Sequence, residues 1–288
     1  MSDADGSPPR PPQDPAAGPD EPAEFARLLP PQSPAEASAI VEQLDFSTRS
    51  QARPANERER PYLVLNMAST VDGRASIDGR SGAIGNRADR ELFHALRDNV
   101  DAVMAGAGTM RVERYGRIIR MESRRRARVE RGMSAEPLAC IVSGRLALPL
   151  DMPLLREPQA HVVLVTPSAA SLPETPAHVE YVRAAHEGEL DIALAMRELH
   201  TRFGVQTLLC EGGPHLNAQL LLAGVVDELF LSFAPKLAGG EDGTGEALRI
   251  VAGAAFATPV ELELLATLEN ESHLFLRYGV RSPAPERA

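Results

Sequence analysis

The stretch that decides the fold is residues 207–217, which read TLLCEGGPHLN. Its first four residues form an apolar run of strand length, and the leucines from Leu220 onward predict a helix. The two glycines between them let the backbone approach a ligand closely, and the helix that follows presents free N–H groups to an anion. The stretch therefore predicts one strand-turn-helix unit of an α/β sheet with a binding site at the turn. It matches neither the Walker loop nor the Rossmann fingerprint.

The same alternation of strand and helix extends outward from this stretch. Further apolar runs of strand length occur at residues 62–68, 102–105, 138–142, 161–165 and 179–182. Helical periodicity is clearest at residues 86–99 and 191–203. Strands that alternate with helices predict a largely parallel sheet covered by helices on both faces.

The end of the chain follows a different pattern. Residues 227–233, 260–268 and 273–280 are strand-like, with no helical segment between the last two. This predicts a C-terminal antiparallel hairpin. We therefore expect an α/β fold with a mixed, mostly parallel sheet of about eight strands.

Composition sets the broad class of the protein. The chain has 288 residues, 43% of them hydrophobic, and a net charge of −10. These values are typical of a globular protein, and the acidic balance argues against nucleic acid as a partner. No apolar run is long enough to span a bilayer, and no export signal is visible. Two cysteines, both in apolar runs, predict a reducing, cytoplasmic compartment.

The distribution of proline predicts the domain organisation. Eleven of the 24 prolines precede residue 55, so we expect a disordered tail at residues 1–22. Residues 23–60 are predicted to form an N-terminal arm with a short helix that Ser33 caps. The main domain is expected at residues 61–281 and a flexible tail at 282–288. The arginine-rich segment 117–131 is interpreted as a solvated helix or a mobile insert.

Polar residues at the end of the first strand are candidate site residues, because ligands of parallel sheets bind at the carboxyl ends of strands. Asn66 lies in the second half of this strand, and Thr70 and Asp72 follow it. All three could point polar groups into the cleft. Taken alone, Asp72-Gly73 is equally consistent with a tight turn.

Two further strand ends carry candidate anion sites. Gly106-Ala107-Gly108-Thr109 opens a helix whose N–H groups could meet an anion, although a plain helix start is an alternative. Ser143-Gly144-Arg145 combines a hydroxyl with a guanidinium, a pair suited to a phosphate monoester, although a surface turn is equally consistent.

The order of these motifs resembles the riboflavin-biosynthesis pyrimidine reductases, the reductase domain of bifunctional riboflavin deaminase-reductases. The resemblance covers about residues 60–281. It rests on Thr70-Val71-Asp72-Gly73, Gly106-Ala107-Gly108-Thr109, Ser143-Gly144-Arg145, Glu211-Gly212-Gly213-Pro214 with Leu216, Val226-Asp227-Glu228-Leu229 and the run from Ala234 to Gly240. It implies a dihydrofolate-reductase-like, three-layer α/β/α fold and a homodimer.

The resemblance also implies a reaction and the residues that serve it. NADPH would deliver a hydride to the ribose carbonyl of 5-amino-6-(5-phosphoribosylamino)uracil. Residues at the reacting end would be Asn66, Thr70, Asp72 and Glu113. Cofactor-binding residues would be Gly106, Gly108, Thr109, Ser143, Arg145, Glu211, Gly212, Gly213 and Leu216, with Ser143 and Arg145 at the 2′-phosphate.

Two departures from the family pattern leave alternatives open. The zinc deaminase signature of the fused enzymes is absent, so the chain would only reduce. Val112-Glu113-Arg114-Tyr115 replaces the Ala-Asp-Asp-Pro segment, and Asn66 replaces the first-strand lysine. The resemblance is closer to stand-alone, actinobacterial-type members. A dihydrofolate-type reductase and a non-enzymatic NADP-binding regulatory protein are the alternatives.

The seven histidines show no spacing typical of metal ligands, and no serine lies in a nucleophile elbow. We therefore expect neither a metal site nor a nucleophilic triad.

Overall fold

The computed structural model describes residues 35–77, 79–239, 249–253 and 255–281. The predicted tails 1–22 and 282–288 lie outside these residues. The helices are α1 Ala37–Glu42, α2 Phe46–Ala52, α3 Arg87–Asp98, α4 Ala107–Val112, α5 Glu122–Glu130, α6 Ile192–Phe203 and α7 Pro214–Leu222. The strands are β1 Tyr62–Thr70, β2 Ala102–Gly106, β3 Leu138–Val142, β4 His161–Thr166, β5 His178–Arg183, β6 Ala185–His186, β7 Glu189–Leu190, β8 Thr207–Cys210, β9 Glu228–Ala234, β10 Leu262–Asn270 and β11 His273–Val280.

Nine strands form one sheet in the order β10-β11-β9-β1-β8-β2-β3-β4-β5, and β6 pairs with β7 separately. The seven strands from β9 to β5 run parallel. Strands β9, β11 and β10 pair antiparallel. The mixed, mostly parallel sheet and its C-terminal hairpin are confirmed, with nine strands where about eight were expected.

The sheet separates two apolar layers. Alternate residues of β1 point to opposite faces, so Val64 joins the layer that includes α3, whereas Leu63 and Leu65 join the layer that includes α6 and α7. Each of these three side chains is at most 2% exposed. The expected three-layer α/β/α arrangement is therefore present.

Side-chain caps fix the starts of the two longest helices. The Asn86 side chain accepts from the Asp89 amide at the start of α3, and the Asp191 side chain accepts from the Leu194 amide at the start of α6. Both satisfy an N–H group that has no partner within its helix. Both helices match the predicted segments to within one residue.

The predicted cap of the short N-terminal helix, Ser33, lies outside the described residues. Helix α1 begins at Ala37, because Glu36 is extended and its carbonyl accepts a hydrogen bond from the Ile40 amide. The burial of Val41 and Phe46 in the α3 layer holds this segment. Residues 37–52 therefore pack as part of the core, and the division of the chain at residue 60 stays a prediction.

The arginine-rich segment contains one buried side chain. Arg128 in α5 is fully buried and donates to the carbonyl oxygens of Arg97, Asp98, Val100 and Ser134. It thus satisfies the free carbonyls at the end of α3. The interpretation of residues 117–131 as a solvated helix or a mobile insert is therefore correct for the helix α5 but wrong for Arg128, which is buried.

Both cysteines are buried and free of disulfides. Cys140 in β3 and Cys210 in β8 each pair in register with Met104 of β2. Burial raises the pKa of both thiols. Among the described residues, no helix is long and apolar enough to cross a membrane.

The strand order places the candidate site. From β1 the chain crosses to β2 on the α3 side, and from β8 it returns to β9 through α7 on the opposite side. The direction in which the chain adds strands to the sheet therefore reverses around β8, although the strands themselves stay parallel. Ligands of open α/β sheets bind at such a switch point, outside the carboxyl ends of the strands.

Candidate active site

A cavity of about 840 Å³ opens at this switch point. Its floor is formed by the carboxyl ends of β1, β2 and β8, and its walls by α3 and by the segments that follow β2 and β8. This volume lies within the range of pockets that hold small ligands and cofactors. Nine of the predicted site residues line it: Asn66, Gly106, Gly108, Thr109, Glu113, Glu211, Gly212, Gly213 and Leu216.

The two glycine turns touch each other at the floor of the cavity. The Gly106 amide donates to the Gly212 carbonyl over 2.7 Å. Gly212 has a φ of +93°, which favours glycine. A Cβ atom at Gly213 would lie 2.7 Å from Thr109 Oγ1. Side chains are therefore excluded at the turn, and the backbone of both loops faces the cavity.

Two helices begin at these glycines. Gly106 is the N-cap of α4 and Gly213 the N-cap of α7, and neither helix has a side chain that accepts from its first N–H groups. Asn217 of α7 donates from Nδ2 to the Ile250 carbonyl over 2.7 Å, which holds residues 249–250 at the rim. The uncapped amides present partial positive charge to the cavity, an arrangement that suits an anion.

Glu211 is engaged in a buried network. Its carboxylate accepts from Arg97 Nε and Nη2 over 2.6 and 2.7 Å and from the Tyr115 hydroxyl over 2.6 Å. The Arg97 guanidinium also lies over the Phe93 ring and donates to the Ile118 carbonyl. The network joins β8, α3 and the segment after α4, so Glu211 builds the cavity wall.

The charges in this network reinforce one another. Burial lowers the pKa of Arg97, but the charge of Glu211 and its hydrogen bonds outweigh burial, so the net pKa lies above the ordinary range. Burial and the same carboxylate raise the pKa of Tyr115 well above 10. Arg97 is therefore charged and Tyr115 neutral throughout the physiological pH range.

Glu113 connects two loops at the rim. Its Oε1 accepts from the Ser81 amide over 3.0 Å and from the Ser81 hydroxyl over 2.9 Å. It thereby ties the loop between β1 and α3 to the end of α4. Both residues line the cavity.

The predicted polar site residues in and after β1 separate into two groups. Asn66 lines the cavity. Thr70 and Asp72 do not: the Thr70 hydroxyl donates to Asp72 over 2.5 Å, and Asp72 accepts from the amides of Ala238 and Gly239. These hydrogen bonds, that of Thr70 first, lower the pKa of Asp72 to about 2. The structure thus has the tight turn at Asp72-Gly73, and the expectation that both side chains face the cleft is not met.

Ser143 and Arg145 lie beside the cavity. They follow β3, whose last residue, Val142, pairs with Gly106. Ser143 is buried and its amide donates to the Val165 carbonyl, whereas Arg145 is exposed. Both occupy the edge of the sheet that carries the glycine turns, one strand beyond the cavity floor.

One end of the cavity is basic. Among the residues that the structure describes, seven arginines and four carboxylates line it, although the whole chain is acidic. Arg90 and His94 of α3 face this end together with Arg120 and Arg124. Burial and the charges of Arg124 and Arg97 lower the pKa of His94. The basic end suits a phosphate ester.

Sequence reasoning missed Arg97 and Tyr115 as members of the site. Helical periodicity places Arg97 beside the apolar face of α3, and only its distance from Glu211 reveals its role. The signal available in the sequence was an arginine placed beside the apolar face of an amphipathic helix, since a buried arginine requires a partner.

Residues 61–270 match the RibD C-terminal domain family. The chain belongs to this family. The match begins at β1 and ends within β10, so it includes both glycine turns and every strand that contributes to the cavity.

Two archaeal relatives share this region. A 2,5-diamino-6-ribosylamino-4(3H)-pyrimidinone 5′-phosphate reductase from Methanothermobacter thermautotrophicus is 29% identical over 229 residues, which cover 77% of this chain and 99% of the relative. The reductase of the same name from Archaeoglobus fulgidus is 29% identical over 188 residues, 64% of this chain and 84% of the relative.

A solved structure has the same fold. A pyrimidine reductase-like protein from Corynebacterium diphtheriae superposes with a TM-score of 0.67 at 22% identity, over 86% of this chain and 99% of the other. This similarity supports the fold of the present chain.

Proposed function

We propose that the protein is an NADPH-dependent reductase of riboflavin biosynthesis that reduces the ribose carbonyl of a phosphoribosylamino-pyrimidine to the alcohol of a ribityl chain. The observation that carries the proposal is that both glycine turns of the family match line a single cavity with a basic end. The activity for which the two archaeal relatives are named supports the substrate class.

The residues present fit a nicotinamide dinucleotide. Side chains are excluded where Gly106 and Gly213 meet, and the uncapped amides of α4 and α7 suit a pyrophosphate. When bound, the nicotinamide supplies the hydride. We propose that Gly106, Gly108, Thr109, Gly212 and Gly213 contact the cofactor, with Leu216 packing beside it. Glu211 holds the wall behind them.

The basic end and the β1 side of the cavity would receive the substrate. We propose that its phosphate lies near Arg90 and Arg120, because a phosphate monoester carries nearly two negative charges. Asn66 would donate or accept a hydrogen bond at the pyrimidine or sugar. Glu113 would position the rim through Ser81. Thr70 and Asp72 would act by holding residues 238–239 in place.

The test is NADPH oxidation by the purified chain with three substrates in parallel. These are 5-amino-6-(5-phosphoribosylamino)uracil, its 2,5-diamino-pyrimidinone counterpart and dihydrofolate. Turnover with either pyrimidine and none with dihydrofolate is the expected result. A preference for the uracil would place the reduction after deamination, and a preference for the diamino-pyrimidinone would place it before. Turnover with dihydrofolate alone, or tight NADPH binding without turnover on any substrate, would overturn the proposal.

The choice between NADPH and NADH tests the pair beyond the cavity floor. We propose that Ser143 and Arg145 bind the 2′-phosphate of NADPH, since a hydroxyl and an exposed guanidinium follow β3 beside Gly106. Arg145→Ala should weaken NADPH binding while NADH binding stays unchanged. An equal loss for both cofactors would refute this assignment.

We also propose that the protein is a cytoplasmic homodimer. Two free, buried thiols are consistent with a reducing compartment. The hairpin β10–β11 at the end of the sheet exposes four leucines, Leu262, Leu264, Leu265 and Leu274. An exposed apolar edge of this kind is typical of a protein interface.

A further inference from the structure

Two histidines and a glutamate converge far from the cavity, on the outer strands of the sheet. His161 Nε2 and His178 Nε2 lie 2.6 and 3.3 Å from the same atom, Glu180 Oε2. Within the part of the chain that the structure describes, this is the group of three possible metal ligands whose donor atoms lie within 4.8 Å of one another. Nothing in the proposed reduction uses these residues.

The register of the strands produces the convergence. His161 and His178 are the first residues of β4 and β5 and are paired directly across the parallel ladder. Glu180 lies two residues after His178, so its side chain points to the same face. The rings of the two histidines are 4.8 Å apart. The group therefore sits on rigid backbone at the amino ends of the strands, opposite the carboxyl ends that carry the cavity.

We propose that His161, His178 and Glu180 bind a divalent transition-metal ion such as Zn²⁺. Imidazole nitrogen and carboxylate oxygen are ordinary zinc ligands with bonds of about 2.0–2.2 Å. Tetrahedral geometry with such bonds requires ligand atoms about 3.3–3.6 Å apart. The 3.3 Å between His178 Nε2 and Glu180 Oε2 fits this geometry, whereas the 2.6 Å between His161 Nε2 and Glu180 Oε2 has to widen. The three side chains are exposed or half-exposed and can adjust. Solvent would complete the coordination.

The surroundings favour a cation. The Glu180 carboxylate brings a negative charge to the group and lies within 3.3 Å of both imidazoles. Phe203, the last residue of α6, lies with its ring 6.3 Å from that of His161, so the negative end of the helix is close. The nearby Arg202 is paired with Glu198 and donates to the Tyr181 carbonyl.

A metal at this position would fasten an edge strand. Strand β5 is the last strand of the nine-stranded sheet and pairs only with β4 within it. An ion bound to ligands from both strands would bind the folded chain and not the unfolded one, and would therefore stabilise it. The bound metal would thus stabilise the pairing of β4 with β5 and would take no part in the reductase activity.

The test is titration of the full-length, tag-free, metal-stripped chain with ZnCl₂ by calorimetry, followed by thermal unfolding with and without zinc. The variants are His178→Asn and Glu180→Gln, and the matched control is His186→Asn, an exposed histidine of β6 outside the group. The buried thiols do not compete for the metal in the folded protein.

We expect one zinc ion per chain in the wild type and the control. Loss of an outer-shell partner typically weakens metal binding by about 10- to 100-fold. Loss of a direct ligand in His178→Asn or Glu180→Gln should weaken zinc binding by at least as much. Zinc should raise the Tm of the wild type and the control but not of the two ligand variants, and turnover should stay unchanged in all four proteins. Binding weaker than about 1 mM in the wild type, or equal affinity in all four proteins, would overturn the proposal.

Discussion

Two carboxylates in the cavity wall accept hydrogen bonds from other side chains of the protein. Glu211 accepts three hydrogen bonds from Arg97 and Tyr115, and Glu113 accepts two from Ser81. Neither is free to act as a general acid or base without breaking these contacts. Their role at the residue scale is to position the backbone that a ligand meets.

Replacement of Glu211 tests the buried network. Glu211→Gln removes the counter-charge of Arg97, whose side chain is 10% exposed, and should destabilise the protein by about 3–5 kcal/mol. Denaturant unfolding measures the effect. Glu91→Gln is the matched control, because its pair with Arg87 is exposed and should contribute little. Equal shifts of the two midpoints would contradict the assignment.

The free energy of unfolding at acidic pH should depend on the charge of Asp72. The pKa of this carboxyl is about 2 in the folded protein, against 3.8 for the isolated group. A lowered pKa stabilises the fold above the unfolded pKa, and the contribution is lost as the pH falls from about 4 towards 2. The difference in unfolding free energy between wild type and Asp72→Asn should therefore shrink over this window. A difference that is constant with pH would show that the Asp72 charge is not responsible.

Helices and strands were predictable wherever local chemistry fixed them. The caps Asn86 and Asp191 are visible in the sequence, and α3 and α6 begin directly after them. Local signals failed where tertiary contacts decide. Strand β10 begins at Leu262 rather than residue 260, with a bulge after Leu264 that a period of two does not locate.

The contact between the two glycine turns can be tested at the element scale. Gly213→Ala should lower the Tm, because its Cβ would lie 2.7 Å from Thr109 Oγ1. Adding Thr109→Ala removes this oxygen and should restore most of the loss. Gly108→Ala is the control: its Cβ meets nothing within 4 Å, and alanine favours a helix. Failure of the double variant to recover would indicate a different cause of the strain.

Sheet register explains which parts of the site the sequence could reveal. Asn66 lies in β1, Gly106 ends β2 and Glu211 follows β8, three strands that are adjacent only in the folded sheet, and the motif order of the resemblance identified all three residues. His161 and His178 meet because β4 pairs with β5 at one particular register. Sequence spacing contains no record of that register, so the sequence does not indicate that these two histidines converge.

The oligomeric state is a property of the whole molecule. Light scattering should give the mass of a dimer for the wild type. Leu264→Glu combined with Leu265→Glu should give a monomer, because charges would replace exposed apolar groups of the hairpin. Leu222→Glu, at an exposed leucine of α7, should leave the dimer intact. A monomeric wild type would refute the proposed dimer.

The two buried thiols have a consequence for how the molecule's motions can be followed. Cys140 and Cys210 flank Met104 at the centre of the sheet and lie in the apolar layer that includes α6 and α7, so an alkylating reagent can reach them only when this layer opens. The rate of labelling under native conditions therefore measures rare openings of the layer. A ligand that contacts the start of α7 should slow that rate, which makes these cysteines an intrinsic reporter of binding without an added probe.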